Sequence, residues 1–106
     1  MTEVSIDQFA AAKADGAFVI DVREPFEYVQ GHVPGAELLP LGEVAERTAA
    51  LPTNQPVYVI CASGNRSRRA TDHLRGAGFE AYSVRGGTQD WISAGNTVVT
   101  GPHAAA

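Results

Sequence analysis

An apolar run that leads directly into a polar loop in the middle of the chain is the feature that most constrains the fold. The run, Val57–Ile60, predicts a strand that is covered on both faces of a parallel sheet. The loop spans residues 61–67, and an arginine-rich stretch with helical composition follows it to about Gly76. The segment is therefore predicted to be strand, loop and helix, with Cys61 at the point where the strand ends.

Short apolar runs and helical segments alternate along the rest of the chain. Ser5 with Gln8 fits a capping box, Pro25 suits a first helical turn, and Thr88 can cap the last helix. Strands are predicted at 17–20, 37–39, 57–60 and 79–84, and helices at 6–13, 25–30, 42–51, 66–76 and 89–94. This alternation predicts a three-layer α/β fold with a mainly parallel sheet. Ligands of such sheets bind beyond the carboxyl ends of the strands, which is where Cys61 lies.

Length and charge exclude several classes of protein. The chain has 106 residues, which predicts a single domain over 1–106, with its core at about 4–99 and a loose tail at 101–106. The net charge of −4 argues against a nucleic-acid partner. The first residues lack the basic and apolar regions of a signal peptide, and no stretch is long enough to span a membrane. We therefore expect a cytoplasmic protein with no membrane partner.

Cys61, the only cysteine of the chain, is predicted to be a nucleophile. The unpaired N–H groups and the dipole of a helix N-terminus favour negative charge, and Arg66 lies close in sequence. Both effects should lower the pKa of the thiol and increase its reactivity. The alternative is a buried cysteine that acts only as a small apolar residue. The polar composition of the loop favours the nucleophile.

Basic residues are concentrated just after Cys61. Four of the eight in the chain fall within ten positions, at Arg66, Arg68, Arg69 and Arg75. This clustering predicts a positively charged surface around Cys61 that suits a small anionic substrate. Alternatively, Arg68 and Arg69 pair with Asp72 on a solvated helix face, and the two interpretations are compatible.

Four motifs, in order, resemble those of rhodanese-type domains, the sulfurtransferase family. They are residues 21–24 (Asp-Val-Arg-Glu), residues 31–36 (Gly-His-Val-Pro-Gly-Ala), the loop 61–67, and Gly86-Gly87 with Trp91 and Ala94-Gly95. The resemblance covers about residues 4–99 and implies a five-stranded parallel sheet with helices on both faces. It also implies that Cys61 is the catalytic residue and carries a persulfide. The loop that holds the outer sulfur would then consist of Ala62, Ser63, Gly64, Asn65, Arg66 and Ser67.

The composition of the loop suits a persulfide, whose terminal sulfur is an anion at neutral pH. Successive backbone N–H groups between Ala62 and Ser67 can form an anion-binding nest. Gly64 permits the positive φ that such a curl requires, and Asn65 tolerates it better than most residues. The Ser63 and Ser67 hydroxyls can add donors. Arg66 is expected to hold the loop shape and to supply fixed positive charge.

The length of the loop distinguishes sulfur transfer from a related chemistry. Phosphatases with a comparable cysteine loop place one residue more between the cysteine and the arginine than the four that separate Cys61 from Arg66. Ser67 occupies the position of the phosphatase arginine, and counting to Arg68 makes the loop too long. The shorter loop fits one sulfur atom better than a phosphate, which disfavours phosphatase or arsenate reductase activity.

The remaining polar motifs are interpreted as structural. Charges that close a strand, such as Asp21 and Arg23, are more often paired with each other than catalytic. His32 could shuttle protons, but a turn histidine that packs beside Pro34 is favoured. Trp91 is expected to cover the sheet. No residues have metal-ligand spacing, so neither a metal nor another cofactor is expected.

These observations predict a double-displacement sulfurtransferase with Cys61 as its sulfur carrier. The expected donor is a small anion such as thiosulfate. The acceptor is cyanide, an external thiol or a protein, because no second cysteine can receive the sulfur within the chain. A different hypothesis is a sulfur-carrier or interaction module that a partner protein loads and unloads at Cys61.

Overall fold

The elements of the fold follow the predicted alternation of strands and helices. The computed structural model describes residues 2–104. The strands are β1 (Glu3–Val4), β2 (Phe18–Asp21), β3 (Glu37–Leu38), β4 (Val57–Ile60) and β5 (Ala81–Val84). The α-helices are α1 (Ile6–Ala14), α2 (Pro25–Gln30), α3 (Asn65–Gly76) and α4 (Gly87–Ser93), and two 3₁₀ helices cover Leu41–Glu46 and Thr48–Ala50.

The five strands form one sheet in the order β1-β5-β4-β2-β3. Every neighbouring pair is parallel, and β4 lies at the centre, with Val59 in register with Ile20 on one side and Ser83 on the other. The prediction of a parallel α/β sheet is therefore confirmed. The central position of β4 places the residue that follows it, Cys61, in the middle of the carboxyl edge of the sheet.

Two apolar clusters cover the two faces of the sheet. On one face, α3 and the first 3₁₀ helix contribute Leu74 and Val44 to a cluster with Val57 and Val59. On the other face, residues of α1, α4 and the strands pack together, namely Phe9, Trp91, Val19, Ile60 and Val84. The Trp91 ring meets the Phe9 ring edge-on, with centroids 5.5 Å apart. The expectation that Trp91 covers the sheet is confirmed.

The first turns of helices α1 and α2 form as their residue types predict. The Ser5 Oγ accepts a hydrogen bond from the Gln8 N–H at 3.1 Å, and the Gln8 side chain accepts from the Ser5 N–H at 2.8 Å. Pro25 occupies the first turn of α2, where the missing N–H costs nothing. Both predictions are confirmed.

The prediction of a helix at 42–51 is wrong, because the segment forms two short 3₁₀ helices instead. Arg47, with φ −113° and ψ 13°, separates them. Val44 is the only buried residue of the two helices. A continuous α-helix draws most of its stability from packing an apolar face, and in this segment only Val44 and, at its end, Leu51 are buried.

Strand β1 was not predicted from the sequence. It consists of two residues, Glu3 and Val4, which pair with Ser83 and Val84 at the edge of the sheet. A two-residue strand is too short to show hydrophobic periodicity.

The expectation of a loose tail is wrong for residues 101–104. His32 and Val99 exchange backbone hydrogen bonds at 2.9 Å, which brings the chain alongside the turn after α2. The Gly35 N–H then donates to the Ala104 carbonyl at 2.9 Å. The last two residues of the predicted tail lie outside the described part of the chain.

His32 is buried within this junction. Its ring stacks on Tyr28 at a centroid distance of 3.6 Å, and its Nδ1 and Nε2 each lie 2.8 Å from a carbonyl oxygen, of Tyr28 and His103 respectively. The structural interpretation of His32 therefore holds, although its packing partner is Tyr28.

Candidate active site

Cys61 lies at the carboxyl end of the central strand and is 1% exposed. Its side chain belongs to the apolar cluster between the sheet and α3, as the interpretation of a structural cysteine required. Its sulfur, however, is surrounded by hydrogen-bond donors of the loop and of the first turn of α3. Burial and polar contact therefore occur together at the same atom.

The loop curls over the sulfur because Gly64 adopts a left-handed conformation. Gly64 has φ +111° and is the N-cap of α3, and its N–H points back to the Cys61 Sγ at 3.1 Å. A side chain is strained at that φ, which explains the glycine. The predicted positive φ at Gly64 is confirmed.

The surroundings of Cys61 lower the pKa of its thiol. Burial by itself raises the pKa, but hydrogen bonds outweigh it. They come from the side chain of Ser67 and from the backbone N–H groups of Ser67, Gly64 and Ser63. The lowered pKa agrees with the prediction, but the main causes are these loop donors rather than Arg66.

Arg66 is directed toward helix α2. Its two terminal nitrogens donate to the Glu27 carboxylate at 2.6 and 2.8 Å, a bidentate pair. The Arg66 hydrogen bond is the largest of the effects that lower the pKa of Glu27 to about 2. Arg66 therefore ties the loop to α2, as expected for a residue that holds the loop shape. Its positive charge, expected to act on the substrate, is largely compensated by Glu27.

Two of the other predicted basic residues, Arg68 and Arg75, are also engaged by partners. Arg68 lies 3.6 Å from the Glu3 carboxylate and also donates to the Asn65 side chain, so its predicted pairing with Asp72 is wrong. The guanidinium of Arg75 lies 4.9 Å from the centre of the Tyr82 ring. The positive charge expected around Cys61 is therefore largely compensated at Arg66 and Arg68, whereas Arg69 is exposed.

The N-terminus of α4 holds the backbone of the loop. The N–H and the hydroxyl of Thr88 both donate to the Cys61 carbonyl, at 2.8 and 3.0 Å, and the Gln89 N–H donates to the Ala62 carbonyl at 3.1 Å. The prediction that Thr88 caps α4 is wrong, because the helix begins at Gly87 with Gly86 as its N-cap. Thr88 is instead a buried support of the cysteine loop.

Gly87 makes this close contact possible. A Cβ at Gly87 would lie 2.4 Å from the Cys61 carbonyl oxygen and 2.7 Å from that of Ala62, and the residue has φ +58°. No side chain fits there without moving the loop. The Gly86-Gly87 pair, which belongs to one of the motifs that resemble the family, is the signal in the sequence for this contact.

Asp21 and Arg23 form a buried ion pair at the end of β2, next to the loop. The Arg23 Nη2 lies 2.8 Å from the Asp21 carboxylate and 2.9 Å from the Gly31 carbonyl. These contacts join the strand end to the turn after α2. The interpretation of the two residues as a structural pair is confirmed.

A cleft of about 330 Å³ opens beside the loop, between α2 and α4. Ala62 contributes to its wall from the loop. The other lining residues include Arg23, Glu27, Gln30, Thr88, Ile92 and Val98. This mixed polar and apolar cleft borders the cysteine loop at Ala62.

The predicted site residues thus lie in one place, with different degrees of exposure. Cys61, Gly64 and Ser67 are buried, Ala62 and Arg66 are partly buried, and Ser63 and Asn65 are exposed. Within residues 2–104, no group of three His, Cys, Asp or Glu residues could hold a metal ion. No helix in the same range is long and apolar enough to cross a membrane.

Comparison with known families agrees with this architecture. The model of the rhodanese-like domain family matches residues 5–94. The chain belongs to the rhodanese-like family. Sequence neighbours of this rhodanese-like chain include proteins named as enzymes and one named as a carrier.

Two curated relatives illustrate that range. The thiosulfate sulfurtransferase GlpE of Pseudomonas entomophila (strain L48) is 38% identical over 91 residues, which cover 85% of this chain and 84% of the relative. The "Putative sulfur carrier protein YrkF" of Bacillus subtilis (strain 168) is 37% identical over 92 residues. That match covers 84% of this chain but only 50% of YrkF.

A solved structure has the same fold. The crystal structure of a rhodanese-related protein from Thermoplasma volcanium superposes with a TM-score of 0.87 at 33% sequence identity. The match covers 93% of this chain and 98% of that chain. The rhodanese-like fold therefore accounts for nearly the whole molecule.

Proposed function

We propose that this rhodanese-like protein is a sulfurtransferase that moves a sulfane sulfur from thiosulfate, or a related anionic donor, to a thiol or cyanide. Cys61 is the catalytic residue and carries the sulfur as a persulfide. Ala62, Ser63, Gly64, Asn65, Arg66 and Ser67 form the loop that binds the outer sulfur. The proposed chemistry needs no metal or other cofactor.

One observation carries this proposal, namely the convergence of donors on the buried sulfur of Cys61. The Gly64 N–H lies 3.1 Å from the Cys61 Sγ, and the Ser67 hydroxyl lies 3.5 Å from it. These groups stabilise a thiolate, and the same nest of N–H groups suits the anionic outer sulfur of a persulfide. The relative GlpE, named as a thiosulfate sulfurtransferase, supports the choice of donor.

In the first step, the Cys61 thiolate attacks the outer sulfur of thiosulfate. A sulfur–sulfur bond forms to Cys61, and the bond inside thiosulfate breaks. The electron pair of that bond leaves with sulfite, and the enzyme retains an anionic persulfide. The pKa lowered by the loop donors keeps a larger fraction of the attacking thiolate at neutral pH.

In the second step, a nucleophilic acceptor attacks the outer sulfur of the persulfide. Cyanide becomes thiocyanate, or a thiolate becomes a persulfide, and the electron pair of the broken bond restores the Cys61 thiolate. The chain has no second cysteine to receive the sulfur. The acceptor must therefore come from outside the chain.

The Arg66–Glu27 pair argues against phosphate chemistry at this loop. An arginine that binds a transferring phosphoryl group must offer its guanidinium to the phosphate oxygens. Here both terminal nitrogens of Arg66 are directed to Glu27. The pairing supports sulfur transfer over a phosphatase or an arsenate reductase.

Steady-state kinetics with thiosulfate and cyanide test the proposed mechanism. A double displacement predicts parallel double-reciprocal plots when the two substrates are varied, because sulfite leaves before the acceptor reacts. Cys61→Ser should lose all thiocyanate formation, while Ser93→Ala, an exposed change at the end of α4, should retain it. Intersecting plots, or an active Cys61→Ser variant, would refute the mechanism.

A second candidate function is a sulfur-carrier module that a protein partner loads and unloads. The observation that favours it is the match to YrkF, a longer protein named as a putative sulfur carrier. The loop residues Ser63 and Asn65 are exposed and offer a protein partner a point of contact. The carrier hypothesis predicts a stable persulfide on Cys61 but negligible turnover with cyanide or small thiols. Rapid turnover with small acceptors would reject it.

A further inference from the structure

We infer that Ser83, in the neighbouring strand β5, is a positioning residue for the Cys61 sulfur. Its hydroxyl donates to the Ser67 oxygen and so leaves the Ser67 hydrogen free to turn toward the sulfur. The inference deepens the proposed sulfur-transfer function and rests on it for its biological meaning. Its physical basis is a chain of three buried side chains.

The three side chains form a continuous line of polar contacts. The Ser67 Oγ lies 3.5 Å from the Cys61 Sγ and 2.8 Å from the Ser83 Oγ. It also lies 3.0 Å from the Gly64 carbonyl oxygen. All three side chains belong to buried residues, so bulk water has little access to these contacts.

The fold places Ser83 beneath the start of α3. Side chains alternate along a strand, so Ser83 faces the same side as Ala81, which packs in the cluster under α3. Ser83 also pairs in register with Val59 of the central strand. A polar residue at this buried position needs a hydrogen-bond partner.

Ser83 must be the donor in its contact with Ser67. Within residues 2–104, the Ser67 oxygen is the only hydrogen-bond partner of the Ser83 hydroxyl. The Ser83 hydrogen is therefore satisfied only if it is donated to Ser67. Ser67 can then direct its own single hydrogen to the Gly64 carbonyl or to the Cys61 sulfur.

The direction of the Ser67 hydrogen depends on the state of Cys61. When Cys61 is a thiol, its S–H donates to the Ser67 oxygen and the Ser67 hydroxyl donates to Gly64. When the thiol loses its proton to solvent, the sulfur can only accept, and the Ser67 hydroxyl turns to donate to it. Ser83 donates in both states, and donation to Ser67 makes Ser67 a stronger donor toward the thiolate.

Ser83→Ala tests this arrangement with a change that removes little more than the hydroxyl. We expect the apparent pKa of Cys61 to rise by about half a pH unit, since a neutral hydrogen bond is worth roughly that amount when converted at about 1.4 kcal/mol per unit. The readout is the rate of alkylation by iodoacetamide as a function of pH. Because Cys61 is the only cysteine, each added group reports on it alone. At pH values below the Cys61 pKa of both proteins, Ser83→Ala should be alkylated about threefold more slowly than the wild type.

The double variant distinguishes positioning from a general structural effect. Ser67→Ala should raise the apparent pKa of Cys61 by about one unit, because it removes the hydroxyl that donates directly to the sulfur. Ser83→Ala added to Ser67→Ala should change nothing further, because Ser83 acts only through Ser67. An equal shift in both backgrounds would overturn the inference, as would an unchanged pKa in the single Ser83→Ala variant.

Thr71→Val provides the matched control. Thr71 is a buried hydroxyl residue of α3, and its oxygen has no hydrogen-bond partner within the described residues. Removing this hydroxyl should leave the alkylation profile of Cys61 unchanged. A shift as large as that of Ser83→Ala would indicate a general loosening of α3 and would contradict the inference.

The alkylation test is independent of sulfur transfer. If thiosulfate leaves no sulfur on the wild-type protein, the proposed function fails. The effect of Ser83 on the pKa of Cys61 can still be present in that case. Conversely, a functional sulfurtransferase with an unshifted Ser83→Ala profile would refute only the role of Ser83.

Discussion

At the scale of single residues, the site is a sulfur atom that is buried and yet well supplied with donors. Burial alone would favour the neutral thiol, and the loop N–H groups with the Ser67 hydroxyl reverse that preference. The loop could be predicted from sequence because its members are contiguous with Cys61. Glu27 and Ser83 could not be predicted, because tertiary folding alone brings them to the loop.

Glu27→Gln tests the pair that ties the loop to α2. We expect a loss of about 1 kcal/mol in the free energy of unfolding at neutral pH, since the pair is bidentate but partly exposed. The pKa of Glu27 is lowered from 4.5 to about 2 in the folded state. Its contribution is therefore fully present above about pH 4.5 and is lost as the pH falls toward 2. Urea unfolding at several pH values measures this difference.

The exposed pair of Glu43 and Arg47 supplies the control for Glu27. Its two charges lie 3.3 Å apart on the surface, and Glu43→Gln should cost only about 0.3–0.5 kcal/mol. Equal costs for the two variants would contradict a special role of Glu27. So would a Glu27→Gln deficit that remains undiminished at pH 2.

At the scale of elements, the sequence predicted long or capped segments well and marginal ones poorly. Helix α1 was predicted from its capping box, and β4 from its apolar run. The segment 42–51 has helical composition but buries only Val44 and, at its end, Leu51, and the two-residue β1 has no periodicity. The role of α4 was missed because its contact with Cys61 depends on how closely two backbones approach.

Gly87→Ala tests the close approach of α4 to the cysteine loop. The added Cβ would lie 2.4 Å from the Cys61 carbonyl oxygen, so either α4 or the loop must move. We expect a loss of about 3 kcal/mol or more in the free energy of unfolding and slower alkylation of Cys61. Thermal unfolding and iodoacetamide kinetics measure the two effects.

Gly95→Ala separates the cost of steric contact from the cost of backbone conformation. Gly95 also has a positive φ, of +89°, but a Cβ there would meet nothing within 4 Å. Its substitution should cost only about 1–2 kcal/mol and leave Cys61 reactivity unchanged. If the two variants behave alike, close packing of α4 against the loop does not explain Gly87.

At the scale of the whole molecule, the parallel sheet sets where every functional group lies. Alternating strands and helices predicted this architecture, and the family match agrees with it. The distribution of charged residues in the sequence predicted the structure less well than the alternation of strands and helices did. The arginines after Cys61 were expected to face a substrate, but Arg66 and Arg68 pair with the carboxylates of Glu27 and Glu3. Charge patterns in a sequence do not reveal partners that folding brings from elsewhere.

Removing residues 101–106 tests whether the C-terminal segment is part of the folded unit. The truncation removes the carbonyl groups of His103 and Ala104, which lie near His32 and Gly35. We expect a loss of about 1–3 kcal/mol in the free energy of unfolding, because the buried His32 ring loses a partner. A chain ending at Ala104 keeps these hydrogen bonds and is the control. Equal denaturation midpoints for the two truncated chains would show that the segment contributes nothing.

The central claim is that Cys61 carries a transferable sulfur, and intact-protein mass spectrometry after thiosulfate treatment tests it most directly. The account predicts a gain of one sulfur atom, located on Cys61, that disappears when cyanide is added. Cys61→Ser should show no gain under the same conditions. A wild-type protein that remains unmodified by thiosulfate, or a sulfur adduct that persists in Cys61→Ser, would contradict the account.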